Sequence, residues 1–70
     1  MAVMRDELLF EWVRDETRFR CEISDDGFDS VGVHFFKNDE PMYRRRHFVS
    51  RRLAVEWARR ERALIEAGFP

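Results

Sequence analysis

Two central segments of the chain alternate apolar and polar residues with a period of two, the pattern of half-buried β-strands. Their apolar members are Phe19, Cys21 and Ile23 in the first segment and Val31, Val33 and Phe35 in the second. We expect antiparallel pairing with Ile23 opposite Val31, which sets the other four apolar residues opposite one another on the same side of a sheet. The residues between the segments, Asp25 to Asp29, are rich in Asp and Gly, which suits a hairpin loop.

A further strand is predicted after this hairpin. Residues Asn38 to Pro41 have the composition of a turn. The strand then runs from Met42 to about Val49 and pairs with the preceding segment. Its register stays open, because Phe48 and Val49 are both apolar and Arg44–Arg46 fits either face of the sheet.

The N-terminal segment fits two patterns. As a strand, it sets Leu8, Phe10 and Trp12 opposite the apolar residues of the first central segment, and Arg14 to Thr17 form the turn. As a helix, it has an apolar stripe of Met4, Leu8, Leu9, Trp12 and Val13. We prefer the strand, because the helix would leave Phe10 on its polar side.

The C-terminal segment predicts an amphipathic helix. Ser50 suits the N-cap, where its hydroxyl accepts a backbone hydrogen bond of the first turn, and Gly68 suits the left-handed position beyond the end. The apolar stripe consists of Leu53, Ala54, Trp57, Ala58, Leu64 and Ile65. Glu61 interrupts this stripe, so we expect either a pairing with an arginine of the sheet or a wet edge of the interface.

These elements predict one α+β domain over residues 1–70, a four-stranded antiparallel meander with the helix packed on one face (ββββα). The alternative is αβββα, with a helix at the N-terminus. A hydrophobic content of 44%, with 14% aromatic residues, is typical of a packed core rather than of a disordered chain. A core of this size leaves little room for a deep substrate pocket.

Charge is distributed unevenly along the chain. Residues 1–41 contain eleven acidic and five basic residues, whereas residues 42–70 contain eight basic and three acidic ones. Such a charge distribution is compatible with a binding face, with self-association or with ion pairs inside the molecule. A net charge of −1 disfavours a strong nucleic-acid binder, since such domains are generally basic.

The single cysteine, Cys21, cannot form an internal disulfide, which indicates a reducing compartment. No apolar run approaches the roughly 20 residues that a membrane span needs. The N-terminus lacks the cationic start and apolar stretch of a signal peptide. We therefore predict a cytoplasmic protein with no membrane partner.

No catalytic or metal-binding pattern stands out. His34 and His47 lack the spacing of metal ligands. Cys21 is expected to point into the core, where a thiol is inert, and the chain has no Gly-rich phosphate-binding loop. The sequence predicts a protein that is not an enzyme and that has no cofactor and no metal.

What remains is a surface on the sheet face that the helix leaves uncovered. The candidate interaction residues are Arg18, Arg20, His34, Phe36, Tyr43, Arg45 and His47, with Phe36 and Tyr43 expected as neighbours across a hairpin. Aromatic and basic side chains together stabilise a sheet, form protein interfaces or bind single-stranded nucleic acid. We predict an interaction module that associates with itself or another protein; the alternative is nucleic-acid binding through Arg44–Arg46, Arg51 and Arg52.

The run from Arg18 to Glu66 contains R-F-R-C-E-I, G-V-H-F-F-K-N and F-V-S-R-R-L-A-V-E-W-A-R-R-E-R. It resembles a family of very short, uncharacterised bacterial proteins, in which strand hairpins precede the pattern F-x-[ST]-R-x-x-A-x-x-W-A-x-x-E-R. The resemblance covers most of the chain and implies a strand at Leu8 to Arg14. It implies a fold and no particular activity.

The start of the helix, Ser50-Arg51-Arg52-Leu53-Ala54, is similar to the S-K-K-x-A start of the final helix in double-stranded-RNA-binding domains. The chain departs from that family at Val55, where a further lysine is usual, and it lacks the G-P-x-H loop. Acidic residues between Asp25 and Asp29 occupy the corresponding hairpin, where they would repel a phosphate backbone. These departures disfavour RNA binding.

Overall fold

A computed structural model describes residues 5–25 and 31–68. Within these ranges the chain forms four strands and one helix: β1 (Arg5–Arg14), β2 (Thr17–Asp25), β3 (Val31–Lys37), β4 (Glu40–Phe48) and α1 (Arg51–Glu66). The strands pair antiparallel in sequence order, and α1 packs on one face of the sheet. The predicted ββββα fold is confirmed, and the strand at β1 excludes the αβββα alternative.

Two of the hairpins close through two-residue turns in the left-handed backbone region. The turn residues are Asp15 (φ 48°), Glu16 (φ 66°), Asn38 (φ 50°) and Asp39 (φ 67°). Two consecutive positive φ angles match the right-handed twist of the flanking strands, and Asn and Asp tolerate them well. The first turn lies where the sequence predicted it. The second is shorter than predicted, so β4 begins at Glu40 instead of Met42.

The β2–β3 register differs from the prediction by two residues. Ile23 lies opposite Val33 and Cys21 opposite Phe35. A shift of two residues leaves every side chain on its predicted face, so the alternation of apolar residues could not distinguish the two registers. Of the predicted loop, Asp25 belongs to β2, and residues 26–29 lie outside the described ranges.

The β1–β2 register is as predicted at one end only. Phe10 lies opposite Cys21 and Trp12 opposite Phe19, but an irregularity between Leu8 and Phe10 sets Leu8 opposite Glu22 rather than Ile23. The extra residue of such a bulge moves the side chains before it to the other face. Leu8 therefore lies on the sheet face that α1 does not cover.

The buried core joins the sheet and α1. Its members are Phe19, Cys21, Ile23, Val31, Val33, Phe35, Phe48, Ala54, Ala58 and Ile65. The six apolar residues predicted to share one face of the two central strands are all buried, as expected. Of the predicted apolar stripe of the helix, Trp57 packs against this core, but Leu53 and Leu64 do not rest on the sheet, since 45% and 46% of their surfaces are exposed. Ala54 and Ala58 meet the sheet instead, because their small side chains let the helix approach closely.

Both ends of α1 have the predicted caps. The Ser50 hydroxyl accepts a hydrogen bond of 3.2 Å from the backbone N–H of Leu53. At the other end, Gly68 has a φ of 89° and donates its N–H to the carbonyl oxygen of Ile65. These caps satisfy backbone groups that a helix otherwise leaves unpaired at its ends.

Candidate interaction surfaces

The sheet face that α1 does not cover, here called the open face, carries four of the seven predicted interaction residues. These are Arg18, Arg20, His34 and Phe36. Alternation along β2 and β3 turns them away from the buried side chains between them. The other three predicted residues, which belong to β4, lie on the helix side or beside it.

Tyr43 lies on the helix side because the β3–β4 pairing is irregular. Phe36 lies opposite Pro41, whereas Phe35 lies opposite Tyr43, so that Met42 is an extra residue. The Tyr43 ring stacks on the Phe35 ring at a centroid distance of 5.2 Å. The expectation that Phe36 and Tyr43 are neighbours across the hairpin is therefore wrong.

A second irregularity displaces the end of β4. Arg45 lies opposite Val33, and its guanidinium carbon lies 5.1 Å from the centroid of the Phe48 ring, on the helix side. The pairing shifts register between Arg45 and Phe48, and within this interval His47 adopts a left-handed φ of 67°. Neither side chain joins the open face. The sequence left the register of this strand undecided, and the two irregularities explain why alternation alone could not set it.

The two arginines that β2 contributes to the open face are paired with carboxylates. The Arg20 Nη1 atom lies 2.8 Å from an Asp39 carboxylate oxygen, and its Nε atom lies 3.0 Å from Glu22. Arg18 lies 3.9 Å from the same Asp39 oxygen. The Arg20 guanidinium also covers the Phe36 ring at 4.2 Å. These contacts compensate the charges of the β2 cations and cover the Phe36 ring. On the β4 side of the same face, Arg44 and Arg46 pair with no carboxylate of the described residues.

The margin of the open face next to β1 is apolar. The side chains of Leu8 and Val13 are 54% and 66% exposed, and they lie opposite Glu22 and Arg18 of β2. Both belong to the edge strand of the sheet. Leu8 and Val13 are thus exposed to water on β1, a strand that pairs with another strand, β2, on one side only.

The two edges of the sheet differ in how they are protected. The β4 edge has Pro41, two pairing irregularities and three consecutive arginines, features that discourage pairing with another strand. The ten-residue β1 edge has one irregularity, near Leu9, and no proline. Strand addition is therefore less obstructed at β1 than at β4.

A groove of about 310 Å³ lies between the end of β4 and the first half of α1. We call it the β4–α1 groove. It is lined by Arg45, His47, Phe48, Val49, Leu53, Glu56, Trp57 and Arg60. Sequence reasoning assigned only two of these residues to a surface, because the groove depends on how β4 is displaced against the helix.

Two arginines and one carboxylate line this groove, namely Arg45, Arg60 and Glu56. They belong to a stretch of sequence that is rich in arginine. Residues 42–60 contain seven arginines and a single carboxylate, that of Glu56. Arg51 pairs with Glu7, and Arg52 pairs with Glu56 at 3.4 Å. The remaining arginines, which pair with no carboxylate within residues 5–25 and 31–68, are Arg44, Arg45, Arg46, Arg59 and Arg60. The density of arginine in this stretch of sequence was the signal that could have located the groove.

The titratable groups with the clearest perturbation lie in the core rather than at either surface. Burial, with a smaller contribution from the charge of Glu22, raises the pKa of the Cys21 thiol to about 12, which keeps it protonated and unreactive. Burial and a hydrogen bond to Glu61 raise the pKa of Tyr43 above its usual range. Glu61 lies half-buried beside Tyr43. It forms no ion pair with an arginine within the described residues, so the expected pairing with an arginine of the sheet is wrong.

In the part of the chain that the structure describes, no three His, Cys, Asp or Glu side chains cluster in a way that could hold a metal ion. No helix within these ranges is long and apolar enough to cross a membrane. Comparison with protein-family models, with characterised proteins and with solved structures finds no match for this chain. The two resemblances noted in the sequence therefore stay predictions, and function has to be argued from the surfaces.

Proposed function

We propose that the protein is a small cytosolic interaction module without catalytic activity, which self-associates through the edge of β1 and the adjoining margin of the open face. The observation that carries this proposal is the exposure of Leu8 and Val13 along the less protected edge of the sheet. The occupant of this surface is a second copy of the same chain.

An edge strand presents backbone N–H and C=O groups that can pair with another strand. A two-fold axis is the commonest symmetry of protein dimers. Two β1 strands related by such an axis would pair antiparallel. This arrangement sets the end of one strand that carries Glu7 near the end of the other that carries Arg14. Because Glu7 already pairs with Arg51 and Arg14 with the Ile65 carbonyl within one copy, the contact depends on backbone pairing and on the exposed aliphatic side chains.

Apolar burial supports a weak but specific dimer. A two-fold contact gathers two copies each of Leu8 and Val13, which are half to two-thirds exposed in one copy. Burying these four side chains would contribute about 3–6 kcal/mol, since a full Leu or Val contributes about 1.5–3 kcal/mol. Loss of translational and rotational freedom opposes this gain, so we expect association at micromolar rather than nanomolar concentration.

Sedimentation velocity across a range of about 5 to 500 µM tests the proposal, because it covers the affinities expected of a small interface. The wild-type chain is expected to shift from monomer to dimer within this range. Val13→Lys and Leu8→Lys are expected to keep the chain monomeric, because each buries a charge in the contact. Val49→Lys is the matched control, since Val49 is 72% exposed and lies beyond β4.

Two results would overturn self-association through β1. One is a wild-type chain that stays monomeric over the whole concentration range. The other is a loss of association in Val49→Lys as large as that in Val13→Lys, which would place the contact elsewhere. Circular dichroism of each variant establishes that a change in sedimentation does not come from unfolding.

Nucleic-acid binding has less support than association with protein. On the open face, Arg18 and Arg20 are paired with carboxylates, and the Phe36 ring is covered. Tyr43, expected to supply a second stacking platform, packs on Phe35. The observation that favours nucleic acid is the set of β4 and α1 arginines that pair with no carboxylate in the described ranges. Two of them, Arg44 and Arg46, lie on the open face beside His34 and Gly32.

A further inference from the structure

We propose that the β4–α1 groove binds an extended acidic segment of a partner protein, with one apolar side chain of that segment in the groove and its carboxylates on Arg45 and Arg60. This site is separate from the β1 contact, because β1 and β4 are opposite edges of the sheet. It adds a second partner to a module that self-associates.

The groove offers apolar contact. Phe48 and Trp57 lie against each other with ring centroids 5.6 Å apart, and Val49 and Leu53 are 72% and 45% exposed at its margin. Its volume of about 310 Å³ is at the small end of the range for ligand pockets. Such a site suits one large side chain of a peptide better than a cofactor.

The groove is lined by two arginines, and its one carboxylate, that of Glu56, is paired with Arg52 at 3.4 Å, so its charge favours an anionic partner. The guanidinium carbon of Arg45 lies 5.1 Å from the Phe48 ring centroid and 5.7 Å from that of Trp57. Two aromatic contacts hold the cation over the groove, where it can donate paired hydrogen bonds to a carboxylate. Arg60 lines the groove from the helix. Neither arginine forms an ion pair with a described carboxylate, so an acidic partner would displace no existing pair.

The aromatic contacts favour a peptide over a nucleic acid. Sequence-tolerant binding of single strands depends on aromatic faces that are free to stack on bases. Trp57 is already in edge contact with Phe35 and Tyr43, and Arg45 lies over its ring. The accessible apolar contacts of the groove are the aliphatic side chains of Val49 and Leu53, which suit another side chain.

The test is a titration of the full chain with fluorescein-labelled synthetic peptides, followed by anisotropy at low and moderate salt. The first peptide has a central Leu-Phe pair flanked by Asp and Glu. In the second, Ser replaces Leu and Phe, and in the third, Lys replaces the acidic residues. A single-stranded and a duplex oligonucleotide of equal length are tested in parallel.

Only the acidic apolar peptide is expected to bind with micromolar affinity. Arg60→Glu and Arg45→Glu are expected to weaken it by at least about tenfold, as charge reversal in a desolvated contact does. Arg60 lies on the exposed side of the helix, so its replacement keeps the test valid if Arg45→Glu impairs folding. Lys37→Glu is the matched control, because Lys37 is an exposed cation at the far end of β3.

Three results would overturn the inference: no binding of the first peptide, equal binding of the serine peptide, or equal weakening by Lys37→Glu and Arg60→Glu. Oligonucleotide binding that Arg60→Glu abolishes, without peptide binding, would assign the groove to nucleic acid instead. The titration is repeated with Val13→Lys, which is expected to bind the peptide unchanged. This variant separates failure of the groove from failure of the β1 contact.

Discussion

The guanidinium of Arg14, at the end of β1, donates a hydrogen bond of 2.7 Å from Nη1 to the backbone carbonyl oxygen of Ile65 in the last turn of α1. Carbonyl groups in the last turn of a helix lack partners within the helix and carry a partial negative charge. Arg14 therefore ties the first strand of the chain to the end of its last element.

We expect Arg14→Gln to lower the free energy of unfolding by about 1–2 kcal/mol, because the replacement removes a charged donor from a partly buried carbonyl group. Arg44→Gln is the matched control, since Arg44 is exposed and has no carboxylate partner in the described ranges. Its expected effect is below about 0.5 kcal/mol. Urea denaturation of both variants measures the difference, and equal effects would contradict a specific role for Arg14.

Glu61, the carboxylate that interrupts the apolar stripe of α1, lies near the Tyr43 hydroxyl and helps to raise its pKa, which indicates that the two groups interact. Tyr43→Phe removes the partner of this carboxylate and is expected to cost about 1–2 kcal/mol of stability. Glu61→Gln keeps an acceptor and is expected to cost less. A double-mutant cycle checks the pair, and a coupling energy near zero would show that the two side chains act independently.

Alkaline pH is expected to destabilise the fold through Cys21. Its pKa is raised from 9.0 to about 12 in the folded chain, so above pH 9 the unfolded chain releases its proton first. Folding stability is therefore fully present below pH 9 and falls from there to about pH 12, with a slope that approaches about 1.4 kcal/mol per pH unit. Tyr43 acts in the same direction at higher pH, because its pKa is also raised.

Denaturant titrations at several alkaline pH values measure this slope. Between pH 9 and pH 10, the free energy of unfolding of Cys21→Ala is expected to fall less steeply with pH than that of the wild-type chain. Above pH 10, the same is expected of Tyr43→Phe. An identical pH dependence of stability in all three proteins would show that Cys21 and Tyr43 do not cause the loss of stability at alkaline pH. Thiol reagents offer a second readout, since the buried Cys21 should react only as fast as the chain unfolds.

The close approach of α1 to the sheet depends on Ala54 and Ala58, which are fully buried. Ala58→Leu is expected to destabilise the fold by about 1–3 kcal/mol, because added methyl groups overfill a packed interface. Ala63→Leu makes the same change on the exposed side of the helix and should be nearly neutral. Thermal unfolding compares the two, and comparable losses would mean that the helix does not rest on these alanines.

The hydrophobic pattern predicted the elements of this fold but not its registers. Phe19, Cys21 and Ile23 are buried as expected, because alternation determines which face a side chain occupies. The β2–β3 shift of two residues preserves that alternation and so was invisible to it. The helix pattern likewise identified the buried stripe without showing that Ala54 and Ala58, rather than Leu53 and Leu64, lie at its centre.

The interaction surface was harder to predict than the fold, because bulges reverse the alternation on which the prediction depended. The irregularity near Leu9 turns Leu8 to the open face, and the one at Met42 turns Tyr43 and Arg45 towards the helix. Pro41 and Gly32, residue types that are common at bulges, adjoin the two β3–β4 irregularities, but neither shows which way the strand is displaced, and no such residue adjoins the irregularity near Leu9. The exposed margin of β1 and the β4–α1 groove both arise from these irregularities.

Amide hydrogen exchange resolved by residue tests self-association through β1 most directly. Above the association concentration, the β1 amides that do not donate to β2 are expected to be protected, and Val13→Lys should abolish this protection. The outward amides of β4 should exchange rapidly in both proteins. Rapid exchange of the outward β1 amides at every concentration, in a wild-type chain that sediments as a dimer, would contradict pairing through this edge.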